Sequence, residues 1–396
     1  MKLPVYMDYH ATTPVDSRVL ETMLPYFTEK FGNPASKNHQ FGWIAEEAVE
    51  RARSIIAKVL GVDSGEIVFT SGATESNNLV IKGLTDSLRS KGNHIISAVT
   101  EHKSVIDSCR RLQKYGTDVT FLQVDQYGTI APEQVRRAIT PKTILVTLMA
   151  ANNEIGTLHN LFDIGSICRE HNVLFHTDAA QAIGKVFTDV GSMPVDFLSI
   201  SGHKIYGPKG IGALFIRNKQ PKVRLTPQID GGGHEKGLRS GTVNVPGAVG
   251  LAKALEIAGE EMTNESTRLR AYRDTMWKEF STQLQDVFLN GHPTNRLPNN
   301  LNVSFLNVED SALMMSLNDI AVSTGSACST LDPAPSHVLK ALNLPPDRIQ
   351  SAIRFGLGRY STPEEVEYVI KRVVESVEKL RGRSKFTQKH ETINSV

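Results

Sequence analysis

The chain has 396 residues, 40% of them hydrophobic and 22% charged, with 44 basic against 42 acidic side chains. That length points to two structural units, and the composition is that of an ordinary soluble globular protein. A formal net charge of +2 without a long basic block gives no argument for nucleic acid or an anionic membrane as partner.

The opening stretch, MKLPVYMDYHATTPVD, lacks the apolar core of a secretory signal and the Arg/Ser-rich amphipathic pattern of a transit peptide. From about residue 66 to 216, short apolar runs alternate with helical patterns. Strands are predicted at Glu66–Phe69, His94–Ala98, Val119–Gln123, Thr143–Leu148, Val173–His176, Val195–Ile200 and Gly212–Ile216. Amphipathic helices such as Ser104–Tyr115 and Pro132–Ile139 lie between them. This alternation predicts an α/β unit on a mainly parallel sheet, with ligands bound beyond the carboxyl ends of the strands. A long helical pattern from Pro246 through Leu284 follows, either one helix or two broken near Asn264. Beyond it a smaller α+β unit is expected, with a strand at Asn302–Phe305 and helices at Asp310–Leu317 and Pro363–Leu380. The tail from Arg381 is polar, lacks apolar periodicity and is expected to fray. No run of about 18 apolar residues occurs, so no membrane-spanning helix is expected.

Three cysteines, Cys109, Cys168 and Cys328, are too few and too scattered for a disulfide framework or a zinc site. Free thiols suit a reducing compartment, and a cytoplasmic enzyme is the expectation.

Polar motifs cluster at the predicted strand ends. Asp178, in HTDAAQ, reads equally as a helix N-cap or as the partner of a protonated ring nitrogen. Lys204, in SISGHKIYGPKG, follows an apolar strand among small residues. Partial desolvation there would make its amine nucleophilic toward an aldehyde cofactor, although loop lysines are usually just solvated. The segment SGATESNN follows a strand and opens a helix, which makes it either an anion site or an ordinary capped helix. His102, in TEHKSV, is placed where a flat ring could stack, and alone it means little. Together, an anion cradle, a flat ring, an acid and a lysine make the set that pyridoxal phosphate (PLP) chemistry requires.

These segments resemble the NifS/IscS-type cysteine desulfurases, in the class V aminotransferase group of fold-type I PLP enzymes. FGNPAS, FTSGATESNN, TEHKSV, NNEIGT, HTDAAQ, SGHKIYGPKG, GGGHEKGLRSGT, GSAC and IRFGLGR occur in order along nearly the whole chain. The resemblance implies a large domain on a seven-stranded, mainly parallel sheet over residues 15–262. A smaller α+β domain is expected from 1–14 and 263–380, with a polar tail at 381–396. It implies Lys204 as the Schiff-base lysine, Asp178 at the pyridine nitrogen and Gln181 at the ring's phenolic oxygen. His102 would stack on the ring and shuttle protons. Ala73, Thr74, Ser201 and His203 would surround the phosphate, joined by Thr242 from the other subunit of a homodimer. Asn153 and Arg354 would hold the substrate carboxylate, a task suited to the planar fork of arginine.

Cys328 lies in STGSACSTLDPAPS, whose small and turn-forming residues favour a mobile loop. The family pattern makes Cys328 the thiolate that takes sulfur from L-cysteine as a persulfide, releasing L-alanine, and a transient iron–sulfur ligand. No other active-site metal is implied. Cys109 and Cys168, on helical patterns beside apolar residues, read as buried packing. Iron–sulfur scaffold proteins or other sulfur acceptors are the implied partners. Selenocysteine lyase or cysteine-sulfinate desulfinase activity on the same scaffold is the rival enzyme reading, and a non-catalytic binding protein a weaker one. The ending KLRGRSKFTQKHETINSV departs from the acidic, Trp-containing tail of relatives that dock a scaffold.

Overall fold

The structure is a computed structural model; it describes residues 2–218, 223–324 and 335–393, with side chains as far as residue 382. Its strands are β1 (Val5–Tyr6), β2 (Ile67–Thr70), β3 (His94–Ala98), β4 (Asp118–Leu122), β5 (Thr143–Thr147) and β6 (Leu174–Asp178). They continue with β7 (Phe197–Ser201), β8 (Gly212–Ile216), β9 (Val287–Asn290), β10 (Asn300–Phe305), β11 (Ile320–Ala321) and β12 (Ala352–Gly356).

Seven strands form one sheet in the order β2-β8-β7-β6-β5-β3-β4. Only β8 runs against its neighbours β2 and β7; the remaining pairs are parallel. Two successive reversals at β8 leave β2 pointing the same way as β3 to β7, so six carboxyl ends share one edge. β2, β3, β5 and β7 are buried along their whole length. Such apolar, β-branched runs are what a parallel sheet covered on both faces selects. One face packs against Gln40–Leu60, whose Ala45, Val49, Ala52, Ile56 and Leu60 make the apolar stripe. The other face packs against Ala73–Ser87 and Lys103–Gln113. β4, at the edge, is partly exposed and begins with Asp118, which discourages pairing with another chain. The α/β expectation holds, with each of the seven predicted strands present to within two residues.

The helix Val245–Gln283 is continuous for 39 residues, which decides the alternative left open near Asn264. Its first half buries Ala248, Leu251 and Leu255 in the core beneath the sheet. Its second half buries Leu269, Met276 and Phe280 in a separate core. That core also holds β1, β11 and the antiparallel sheet β12-β10-β9, with the Phe280 ring 5.6 Å from Phe305 and 5.5 Å from Phe355. The final helix runs Pro363–Ile393, so the backbone expected to fray beyond residue 380 is helical. Among the described residues, no helix is long and apolar enough to cross a membrane.

Candidate active site

Beyond the shared carboxyl edge lies a cavity of about 500 Å³. Ser71–Glu75 reach it from the end of β2, His102 from β3, and Met149, Ala151 and Asn153 from β5. Asp178, Ala180 and Gln181 come from β6, and Ser201, His203 and Lys204 from β7. Ala11 and Thr12 of the N-terminal segment close another side. Of the residues expected from the sequence, Ala73, Thr74, His102, Asn153, Asp178, Gln181, Ser201, His203 and Lys204 all line this one space.

At one end, the helix Ala73–Ser87 begins on Gly72 with no side-chain cap, so its first N–H groups are available to an anion. Gly72 has φ +150°, and a Cβ on Gly212 would stand only 2.6 Å from the Gly72 Cα. Two glycines are therefore needed to bring β8 against the helix start. Ser201 and His203 border the same end. His203 bonds Thr12 through Nδ1 at 3.1 Å. Burial, followed by the charges of Lys204, Lys209 and Lys185, lowers its pKa to about 4.

Asp178 is the last residue of β6 and is buried. One carboxylate oxygen accepts the Ala180 N–H at 3.0 Å and the other the Asn77 amide at 2.7 Å. The first bond is the local cap the sequence allows, but it closes a turn, since no helix follows. The same Asn77 nitrogen donates to Ser104 Oγ at 2.9 Å, and Ser104 lies 2.8 Å from His102 Nδ1. Because His102 Nδ1 also accepts the Ser104 N–H, the neutral ring carries its proton on Nε2. Asp178 and His102 are thus braced by one polar chain.

Lys204 Nζ donates to the carbonyls of His10 and Ala11, the latter at 2.8 Å. Gln181 is fixed beside it, donating to the His10 carbonyl at 3.0 Å while its Oε1 lies 3.0 Å from His10 Nδ1.

The chain matches the family described as aminotransferase class-V over residues 5–369. The chain belongs to the class-V aminotransferase family. A class-V relative from Anaeromyxobacter dehalogenans, named cysteine desulfurase IscS, is 54% identical over 384 residues, 97% of this chain and 95% of its own. A solved structure titled NifS-like protein superposes with TM-score 0.88 at 39% identity, covering 94% of this chain and 99% of that one. Another, titled SspA in complex with cysteine, has TM-score 0.79 and 40% identity, covering 90% and 100%.

PLP is the cofactor of this class-V group, and the donor set here fits it. The uncapped helix start with Ser201 and His203 suits a phosphate, the Asp178 carboxylate a protonated ring nitrogen, and the Lys204 amine an aldehyde.

Other expected residues fall elsewhere. Arg354 lies on β12 in the second core, 1% exposed, and is not part of the cavity wall. It pairs with Asp8 at 2.8 Å and donates to the Asn153 carbonyl at 2.9 Å. Its Nε is buried with no partner among the described residues. Thr242 is exposed and does not border this chain's cavity. Cys328 lies outside the described residues. Cys109 and Cys168 are buried, and burial pushes the Cys109 thiol up to about 12. Among the described residues, no three His, Cys, Asp or Glu side chains meet as a metal site.

Sequence reasoning missed His10, Ala11 and Asn77 as site residues. The first two meet Lys204 through backbone carbonyls, which leave no signature. Asn77 was within reach, one helical turn after Thr74 at the uncapped helix start.

Proposed function

We propose that this protein is a PLP-dependent cysteine desulfurase, releasing L-alanine from L-cysteine and keeping the sulfur on Cys328. The observation that carries this reading is that Lys204, Asp178, His102 and an uncapped helix start converge on one cavity at the sheet edge. Names of relatives at 54% and 52% identity over 97% of the chain support the substrate.

In this reading the substrate carboxylate is drawn to Arg354, with Asn153 beside it. Bound PLP supplies a sink for the electron pair at the substrate Cα. Asp178 holds the proton on the cofactor's ring nitrogen, and Asn77 keeps that carboxylate from rotating. The Lys204 amine takes the Cα proton within reach of the His10 and Ala11 carbonyls, which orient its remaining hydrogens. The Cys328 thiolate attacks the substrate Sγ. An S–S bond forms as the Cβ–Sγ bond breaks and the bonding pair stays on carbon; His102 protonates Cβ, and Lys204 returns the proton to Cα to complete alanine. Sulfur is oxidised and carbon reduced within one substrate, so no outside oxidant is needed.

We further propose a homodimer, a reason for Thr242 to stand exposed away from its own cavity. The same proposal divides the chain at about residues 14 and 262, supported by the two cores that the long helix joins. A cytoplasmic setting, with scaffold or other sulfur-acceptor proteins downstream, completes the reading. Cysteines kept buried in the core, Cys109 and Cys168, support a reducing compartment.

The test is Cys328→Ser in the holoenzyme. Bound-cofactor absorbance should persist while persulfide and alanine production fall to background; normal turnover would overturn the assignment.

A further inference from the structure

The described residues on either side of Cys328 are anchored in an orderly way. Upstream, Ser323 exchanges two backbone hydrogen bonds with Arg354, at 2.7 and 3.3 Å. Downstream, Ser336 Oγ donates to Glu154 Oε2 at 2.5 Å and accepts the Leu339 N–H at 3.1 Å. The next residue, His337, donates from Nε2 to the Glu101 carbonyl at 3.0 Å. Each anchor is a site residue or its immediate neighbour in sequence: Arg354 itself, Glu154 after Asn153, and Glu101 before His102. Cys328 lies five residues after the first anchor and eight before the second.

Glu154 is held firmly for this task. Its backbone N–H bonds the Asn152 side chain at 2.9 Å, and its carbonyl accepts the amides of Asn300 and Asn302 at 3.2 and 3.1 Å. The side chain is 4% exposed, so a carboxyl group has been buried where a glutamine or an apolar residue would cost less. Ser336 is likewise committed, since accepting from Leu339 directs its hydroxyl hydrogen toward Glu154.

We infer that Glu154 is a positioning residue for sulfur transfer, fixing through Ser336 the point at which the chain that bears Cys328 rejoins the fold. The inference rests on the desulfurase reading and goes beyond it. Because Glu154 follows Asn153, whose carbonyl is held by Arg354, the anchor and the carboxylate-binding pair share one short piece of backbone. Burial raises the Glu154 carboxyl to about 7, against the Ser336 hydrogen bond and the charges of Arg354, His102 and Lys103. The anchor is thus strongest when that carboxylate is ionised.

The experiment compares Glu154→Ala, Glu154→Gln and Ser336→Ala holoenzymes with the parent. Cysteine binding is followed by the change in cofactor absorbance, and sulfur transfer by single-turnover alanine release. A second readout needs no turnover: alkylation of Cys328 by iodoacetamide, with Cys109 and Cys168 buried and silent. Glu154→Ala and Ser336→Ala should slow alanine release about tenfold, as expected for a misplaced reactant, with cysteine binding unchanged. Both should speed alkylation of Cys328 severalfold. Glu154→Gln, which keeps a hydrogen bond to Ser336, should restore both quantities to within about threefold. Unchanged release and alkylation in both alanine variants would overturn the inference, as would equal losses in binding and release. Cys328→Ser in parallel separates the two claims, because only its retained turnover would undo the desulfurase reading itself.

Discussion

The two sides of this active site are built differently. On the sheet side, Asp178, Ser201 and Lys204 end or follow strands paired on both flanks, and the polar atoms of Asp178 and Lys204 are bonded to neighbours in the fold. On the other side, Arg354 reaches across from β12 of the second core to Asp8 and Asn153, and the described residues Ser323 and Ser336 bond Arg354 and Glu154. Holding a cofactor needs groups fixed by packing and by bonds to fixed neighbours, and the sheet side supplies them.

The largest expected effect tests the fixed side. Lys204→Ala should abolish turnover, a loss on the order of a thousandfold or more. Borohydride treatment should mark the Lys204 peptide with cofactor in the parent and not in the variant. Retained turnover would show that another amine serves. A smaller effect tests the reaching side. Arg354→Lys should raise KM for cysteine about tenfold while lowering kcat less, because an ammonium cannot grip a carboxylate with two parallel bonds. A fall in kcat alone would mean that Arg354 only ties the two cores together.

The smallest effect concerns Glu101, at the end of β3. It is fully buried; one oxygen accepts the Met149 N–H at 2.7 Å and the other has no partner among the described residues. Burial first, and then the nearby Asp178 charge, raise its pKa well above the ordinary carboxylate value. An acid whose folded pKa is raised stabilises fully below its unfolded pKa and loses that contribution as pH climbs toward the folded value. Glu101→Gln should therefore gain stability relative to the parent above about pH 5, on the order of 2 °C in Tm at pH 8, and none at pH 4. A gain independent of pH would assign the effect to packing instead.

Much of the sheet side was legible in the sequence. Runs such as Thr143–Thr147 and Phe197–Ser201 are apolar and short, and the polar motifs follow them directly. The long helix was ambiguous because the stretch around Asn264 is polar, and the structure gives the reason: that turn lies between two cores and packs deeply into neither. The final helix carries no apolar periodicity after Leu380, so its continuation to Ile393 could not be read from the pattern. Other features could not have been read. The carbonyls of His10 and Ala11 lie 194 and 193 residues from Lys204, and Ser336 lies 182 from Glu154. Pairings at that separation exist only once the fold has made them. Arg354 was singled out by family pattern, and its place outside the cavity wall was not foreseeable from IRFGLGR alone.

The 39-residue helix that enters both cores carries a thermodynamic consequence. At 1.5 Å per residue it is about 58 Å long, and neither core can lose its half without breaking hydrogen bonds that continue into the other. The sheet and the second core should therefore melt as one cooperative unit, in a single calorimetric transition. Damage to either would then be felt by the whole molecule, and the geometry that joins Lys204 to Arg354 would persist or vanish in one step.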